Sequence, residues 1–193
     1  MIKQKASLKS ISACLEGLMS SKRLDHSFRV ADTAKQLAKH YALDEESVEL
    51  SAMLHDISKE LSLDDFDRYQ IVLPGPIKEL YAHFPKVAHA FSGPLLIKHF
   101  FEPLDQRVYD ACMWHTTGKA TMSDYESLMY VADYCEPHRK DRDVDYYLRV
   151  AKENLNQAVA EIAFASLRYL TESKAIIHPF SLQCYNGYLV HLN

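Results

Sequence analysis

The apolar positions of this chain recur with a helical period. Between Asp25 and Tyr41, the residues His26, Val30, Thr33, Leu37 and Tyr41 return every three or four positions and share one helix face. Ala31, Ala34 and Ala38 widen that stripe, while Asp32, Lys35 and Lys39 cover the other side. The same period predicts helices over Glu45–Ile57, Pro85–Phe101, Leu104–Trp114 and Ser123–Tyr134, with a weaker one over Asp65–Val72 that Pro74-Gly75-Pro76 must interrupt. Ser123-Asp124-Tyr125-Glu126 reads as a capping box, in which Ser and Glu satisfy free backbone N–H groups reciprocally. Asp145–Leu170 carries Leu155, Val159, Ile162, Ala163 and Leu167 at helical spacing, as one helix or two. The tail from Ile176 to Leu189 contains Pro179, Asn186 and Gly187 and reads as an ordered irregular segment. No strand-rich block, repeat or linker interrupts the pattern. The expected fold is all-α, a single helical bundle over residues 1–193 with an irregular C-terminal tail.

Composition narrows the class without changing the fold. The chain has 193 residues, 48% hydrophobic and 25% charged, which is enough for a substantial core. A net charge of -4 argues against a dedicated nucleic-acid backbone binder. No stretch reaches the roughly 18 apolar residues of a membrane span. The opening MIKQKASLKSISACLEGLMS has the spacing of an amphipathic helix and lacks the apolar core of a signal peptide. Cys14, Cys112, Cys135 and Cys184 form no CxxC pair and read as small core residues. A cytoplasmic location is therefore expected, with no membrane or nucleic-acid partner; a homodimer is compatible with the composition.

The chemistry lies in polar residues on apolar faces. Ala52-Met53-Leu54 delivers His55-Asp56, and Leu128-Met129-Tyr130-Val131-Ala132 delivers Asp133. Trp114 precedes His115, His26 lies on the apolar stripe of its helix, and His89 is flanked by small and apolar residues. Burying an unpaired carboxylate is costly, and a divalent cation satisfies carboxylate and imidazole together. Six such ligands exceed the needs of one catalytic metal and suit two metals bridged by Asp56. Each residue also has a simpler account. His26 could be a hydrogen-bonded core histidine, His115 a favourable charge at a helix C-terminus, and Asp133 a turn cap. Spacing barely separates His89 from His83.

Read together, His26, His55-Asp56 and Asp133 resemble the HD-domain phosphohydrolase superfamily. Leu54-His55-Asp56-Ile57-Ser58-Lys59, His89-Ala90-Phe91-Ser92-Gly93, His115-Thr116-Thr117-Gly118 and Tyr130-Val131-Ala132-Asp133-Tyr134-Cys135-Glu136-Pro137-His138-Arg139 together resemble the YqeK family of bacterial symmetrical bis(5'-nucleosyl)-tetraphosphatases. The resemblance implies a di-iron centre on His26, His55, Asp56, His89, His115 and Asp133, choosing His89 over His83; manganese, cobalt or zinc are alternative metals. It implies diadenosine tetraphosphate as substrate, cut to two ADP. Lys119-Ala120-Thr121-Met122 stands where the family carries Arg-Pro-Gly-Met. Lys59 and Arg139 are candidate phosphate contacts, with solvent-facing charge the competing account. Thr116 and Gly118 are candidates for close backbone approach to the ligand, against a simple turn. Tyr185 and Asn186 are candidates to close over a nucleoside, against a docked tail. The alternatives in function are another HD phosphohydrolase, such as a nucleoside 5'-monophosphatase or guanosine tetraphosphate hydrolase, and a nucleotide-binding regulator without turnover.

Overall fold

The computed structural model describes residues 3–192. Its helices are α1 (Leu8–Glu16), α2 (Ser21–His40), α3 (Glu45–Leu54), α4 (Leu63–Arg68), α5 (Gly75–His83), α6 (Pro85–Phe100), α7 (Gln106–Trp114), α8 (Asp124–Tyr134), α9 (Val144–Glu153), α10 (Leu155–Glu172) and α11 (Pro179–Tyr188), followed by a 3-10 turn at Leu189–Leu192. Among the described residues the only β-type pairing is an isolated parallel bridge between Gln4 and Phe101, so the fold is an all-α bundle. No helix of the described residues is long and apolar enough to cross a membrane.

The centre of the bundle is formed by α2, α3, α7 and α8, with α6 outside α7 and α10 outside α8. Val30, Ala34 and Leu37 of α2 meet Ala52, Met53 and Leu54 of α3 and Leu128, Val131 and Ala132 of α8 in one continuous core. Small residues on the α2 stripe let the neighbouring backbones approach closely, so polar groups at the helix ends lie near one another. Cys112, Cys135 and Cys184 are buried, Cys14 is half-buried, and all four are unpaired.

Helix ends follow their sequence signals where those signals are local. The capping box at Ser123 and Glu126 is present, and Asn154 splits the Asp145–Leu170 stretch into α9 and α10 by capping α10 through Gln157 N–H. Two segments differ from the sequence expectation. Gly75–His83 is a helix, because Pro76 occupies its first turn, where a missing N–H costs nothing. The C-terminal tail is helical over Pro179–Tyr188, which corrects the irregular reading. Pro179 again lies in the first turn, His178 caps Phe180 N–H, and Gly187 packs against the Ala120 backbone too closely for any Cβ.

Candidate metal centre

α3 ends at Leu54, and the chain leaves it in successive tight turns: Ile57 N–H bonds Leu54 carbonyl, Lys59 N–H bonds Asp56 carbonyl, and Leu61 N–H bonds Ser58 carbonyl. These turns point His55 and Asp56 into the bundle, where they are 0% and 3% exposed. The segment is tied on two sides. Ser58 donates its hydroxyl to His89 carbonyl on α6 at 2.8 Å. Glu60 accepts the backbone N–H and hydroxyl of Ser20, the cap of α2, at 2.6 and 2.9 Å. The starts of α2 and α6 are thereby held against the same turn.

Asp56 is the hub of the resulting cluster. Its Oδ2 lies 3.9 Å from His26 Nε2 and 3.4 Å from His55 Nε2. Its Oδ1 lies 3.1 Å from His89 Nε2 and 3.6 Å from His115 Nε2. Two groups able to hold a cation result, His26–His55–Asp56 and Asp56–His89–His115, all buried. Asp133 Oδ1 lies beside the first, 3.0 Å from His26 Nε2 and 3.8 Å from His55 Nε2. His83, by contrast, is exposed at the end of α5.

The donor chemistry fits divalent cations. His55 Nδ1–H donates to Ala52 carbonyl and His115 Nδ1–H to Cys112 carbonyl, each at 2.6 Å. A neutral ring that donates from Nδ1 presents a lone pair at Nε2, the usual ligating arrangement. His55 Nε2 and His26 Nε2 are buried without a hydrogen-bond partner. Lone pairs thus face carboxylate oxygens across the cluster, an arrangement of acceptors that a cation satisfies. Burial opposes charge on Asp56, but His55, His115 and His89 outweigh it and hold its pKa well below the ordinary range. Asp133 is held low in the same way, by His26, His55 and His115. Burial, with Lys59 beside it, takes His89 down to about 3.

Two cavities meet at this cluster. One, of about 670 Å³, runs past His26 and is lined by Lys22, Arg23, Arg29, His138 and Arg139. The other, of about 790 Å³, opens beside His115, Thr116 and Asp133 and is walled by Tyr134 and Tyr147. Arg139 lines both and reaches Asp133 Oδ1 at 3.3 Å. Lys59 lines the second cavity, with its Nζ 4.0 Å from Asp56 Oδ1, and burial lowers its pKa.

The remaining candidates lie elsewhere. Gly118 has φ +60°, a left-handed conformation suited to glycine, and it packs on Cys184 of α11. Tyr185 stacks at a tilt near Phe164, and Asn186 is exposed; neither lines the two cavities. Sequence reasoning missed Arg23, Arg29 and the buried Glu136. Arg23 donates to Asp56 Oδ2 at 2.9 Å, and Arg29 pairs with Glu136. The signal was available: Arg23 and Arg29 stand three residues either side of His26, on its own helix face.

Comparison with known proteins agrees with this geometry. The HD domain family matches residues 23–138, a span that contains all six clustered residues. The symmetrical bis(5'-nucleosyl)-tetraphosphatase of Staphylococcus aureus is 32% identical over 174 residues, covering 88% of each chain. That of Bacillus subtilis is 29% identical over 175 residues, covering 90% of this chain and 93% of the relative. A solved Clostridium acetobutylicum protein, named as a "predicted HD superfamily hydrolase involved in NAD metabolism", superposes with a TM-score of 0.84 at 27% identity, covering 96% of this chain and 98% of that one. With two His/Asp sites for divalent cations inside the matched span, the chain belongs to the metal-dependent HD-domain hydrolases and is related among them to the symmetrical bis(5'-nucleosyl)-tetraphosphatases.

Proposed function

We propose that this protein hydrolyses dinucleoside tetraphosphates symmetrically, taking diadenosine tetraphosphate and water to two ADP. The observation that carries the reading is the hub: one buried carboxylate, Asp56, turns one oxygen to each of two histidine pairs. The names of the Staphylococcus and Bacillus relatives support the substrate. The two cavities support it independently, since a substrate with two nucleoside ends needs room on both sides of the bond that is cut.

His26, His55, Asp56 and Asp133 would hold one cation, and Asp56, His89 and His115 the other; imidazole and carboxylate accept iron, manganese, cobalt or zinc. When bound, a cation pair supplies Lewis acidity for phosphoryl oxygens and lowers the pKa of the attacking water. The chain's own cations do the rest. Arg139, between the cavities, offers a planar fork to the middle phosphates. Lys59 faces the charge that builds on the leaving ADP when the central P–O–P bond breaks and the water oxygen bonds to phosphorus. Thr116, beside His115, is within reach of the same phosphates. Tyr134 and Tyr147 give one base an aromatic wall, where stacking tolerates different bases.

Chromatographic product analysis of anaerobically iron- or manganese-loaded protein with diadenosine tetraphosphate tests the proposal. Two ADP is the expected result. ATP plus AMP, or release of inorganic phosphate from mononucleotides alone, would replace it with another HD phosphohydrolase activity. Intact substrate with loaded metal would leave a binding role.

A further inference from the structure

The rings of the four clustered histidines have three different kinds of neighbour. His55 and His115 turn Nδ1–H to main-chain carbonyls. His89 has the Lys59 ammonium beside its ring, 3.2 Å from Nδ1 and 3.1 Å from Nε2. His26 alone has Nδ1 facing a carboxylate, Glu136 Oε2, at 3.6 Å, an electrostatic contact just longer than a hydrogen bond. Glu136 is 3% exposed, and its other oxygen accepts Arg29 Nε–H and the His138 backbone N–H. Its position is therefore held from two elements, α2 through Arg29 and the turn after α8 through its own backbone. Arg29 follows His26 by three residues, so the helix itself fixes the spacing of ring and guanidinium.

This arrangement gives one of the two clusters a carboxylate behind a ring, which the other lacks. Around His26 and His55 stand Asp133 and one oxygen of Asp56, carrying Arg139 and Arg23 respectively, with the Glu136 carboxylate on the far edge of the His26 ring. Next to His89 and His115 stands the other oxygen of Asp56, with the Lys59 ammonium 3.1 Å from His89 Nε2. A carboxylate behind a ligating imidazole fixes its tautomer and strengthens it as a donor. An ammonium beside one does the opposite. We propose that the Arg29–Glu136 pair is a positioning unit for His26, and that it strengthens the hold of the His26–His55 cluster on its cation. This rests on the two-cation reading of the cluster.

Titration of the full chain with Mn²⁺, reading free ion by its EPR signal, tests it without reference to turnover. The wild type is expected to fill two sites. Glu136→Gln keeps the size and an acceptor oxygen, and is expected to weaken one site about 10–100-fold while leaving the other unchanged. In a His26→Ala background the same substitution should change nothing, because its effect runs through that ring. If Glu136→Gln does not fold, Arg29→Gln/Glu136→Gln removes the ion pair as a unit, and the same selective loss is expected. Equal weakening of both sites, or wild-type affinity at both in a folded variant, overturns the positioning role while the metal centre stands. A wild type that takes up no Mn²⁺ overturns both.

Discussion

The turn after α3 and the turn after α7 are built alike. Each helix is capped by a histidine in αR conformation, His55 or His115, whose ring returns to the carbonyl three residues back at 2.6 Å. Helix ends leave carbonyls without partners, and a capping histidine uses one of them to aim its own Nε2. The next residue separates the two turns. After His55 comes Asp56, buried and shared by both clusters; after His115 comes Thr116, a half-buried neutral hydroxyl 2.9 Å from His115 Nε2. One helix-end device thus aims two imidazoles, and a single following side chain decides whether the turn adds charge to the centre or only borders it. Their supports differ as well. The first turn is tied to α6 and α2 by Ser58 and Glu60. The second is clamped by α11, through Gly118 on Cys184, Gly187 on Ala120 and the Met122 N–H donating to Tyr188 Oη at 2.9 Å.

The largest expected effect comes from removing what the two turns do not share. Asp56→Ala should strip the centre of bound metal and reduce hydrolysis beyond the roughly 10²–10³-fold that loss of a single transition-state donor costs. Metal analysis and circular dichroism check this together; undiminished metal with normal activity would mean Asp56 is not the hub. His55→Ala and His115→Ala should behave alike if the turns are equivalent, each lowering metal content from two ions to one. Retention of both ions by either variant would break the equivalence.

Lys59→Ala should keep both ions and slow turnover about 10²–10³-fold, the scale for one lost electrostatic contact. Unchanged kcat would make Lys59 a bystander. Gly118→Ala acts only on the second turn: its positive φ and overlap with Cys184 should cost about 1–3 kcal/mol, seen as a lower Tm. Adding Cys184→Ala should restore the part due to overlap and leave the part due to φ.

The smallest effect is a pH dependence at the α11 clamp. His178 Nδ1 accepts Phe180 N–H and must be neutral to do so. Burial lowers its pKa below 6.5, so the unfolded chain takes up the proton first as the pH falls. The contribution of this cap is complete above about pH 6.5 and is lost as the pH drops through the lowered folded value. Amide exchange in α11 should quicken over that range, and His178→Asn, a cap that does not titrate there, should remove the change.

The buried polar cluster is largely legible in the sequence. A histidine on the apolar stripe of α2, and two apolar runs ending in His55-Asp56 and Asp133, violate the binary pattern in a way that a buried polar site explains. Periodicity also located most helices, since it reports which face of a segment is buried. It missed α5 and α11, whose prolines read as breaks but lie in first turns, a distinction of one or two positions. Tyr185 and Asn186 lie on that helical tail and do not line either cavity.

By itself, the amino-acid sequence determined the all-α class and the residue types able to hold cations, because both follow from local pattern and side-chain chemistry. Only the tertiary structure decided which oxygen of Asp56 faces which histidine pair, and that Glu136 stands behind His26. Those relations join residues 30 to 110 positions apart. Packing of α2, α3, α6, α7 and α8 sets them, and no periodicity along one helix carries that distance.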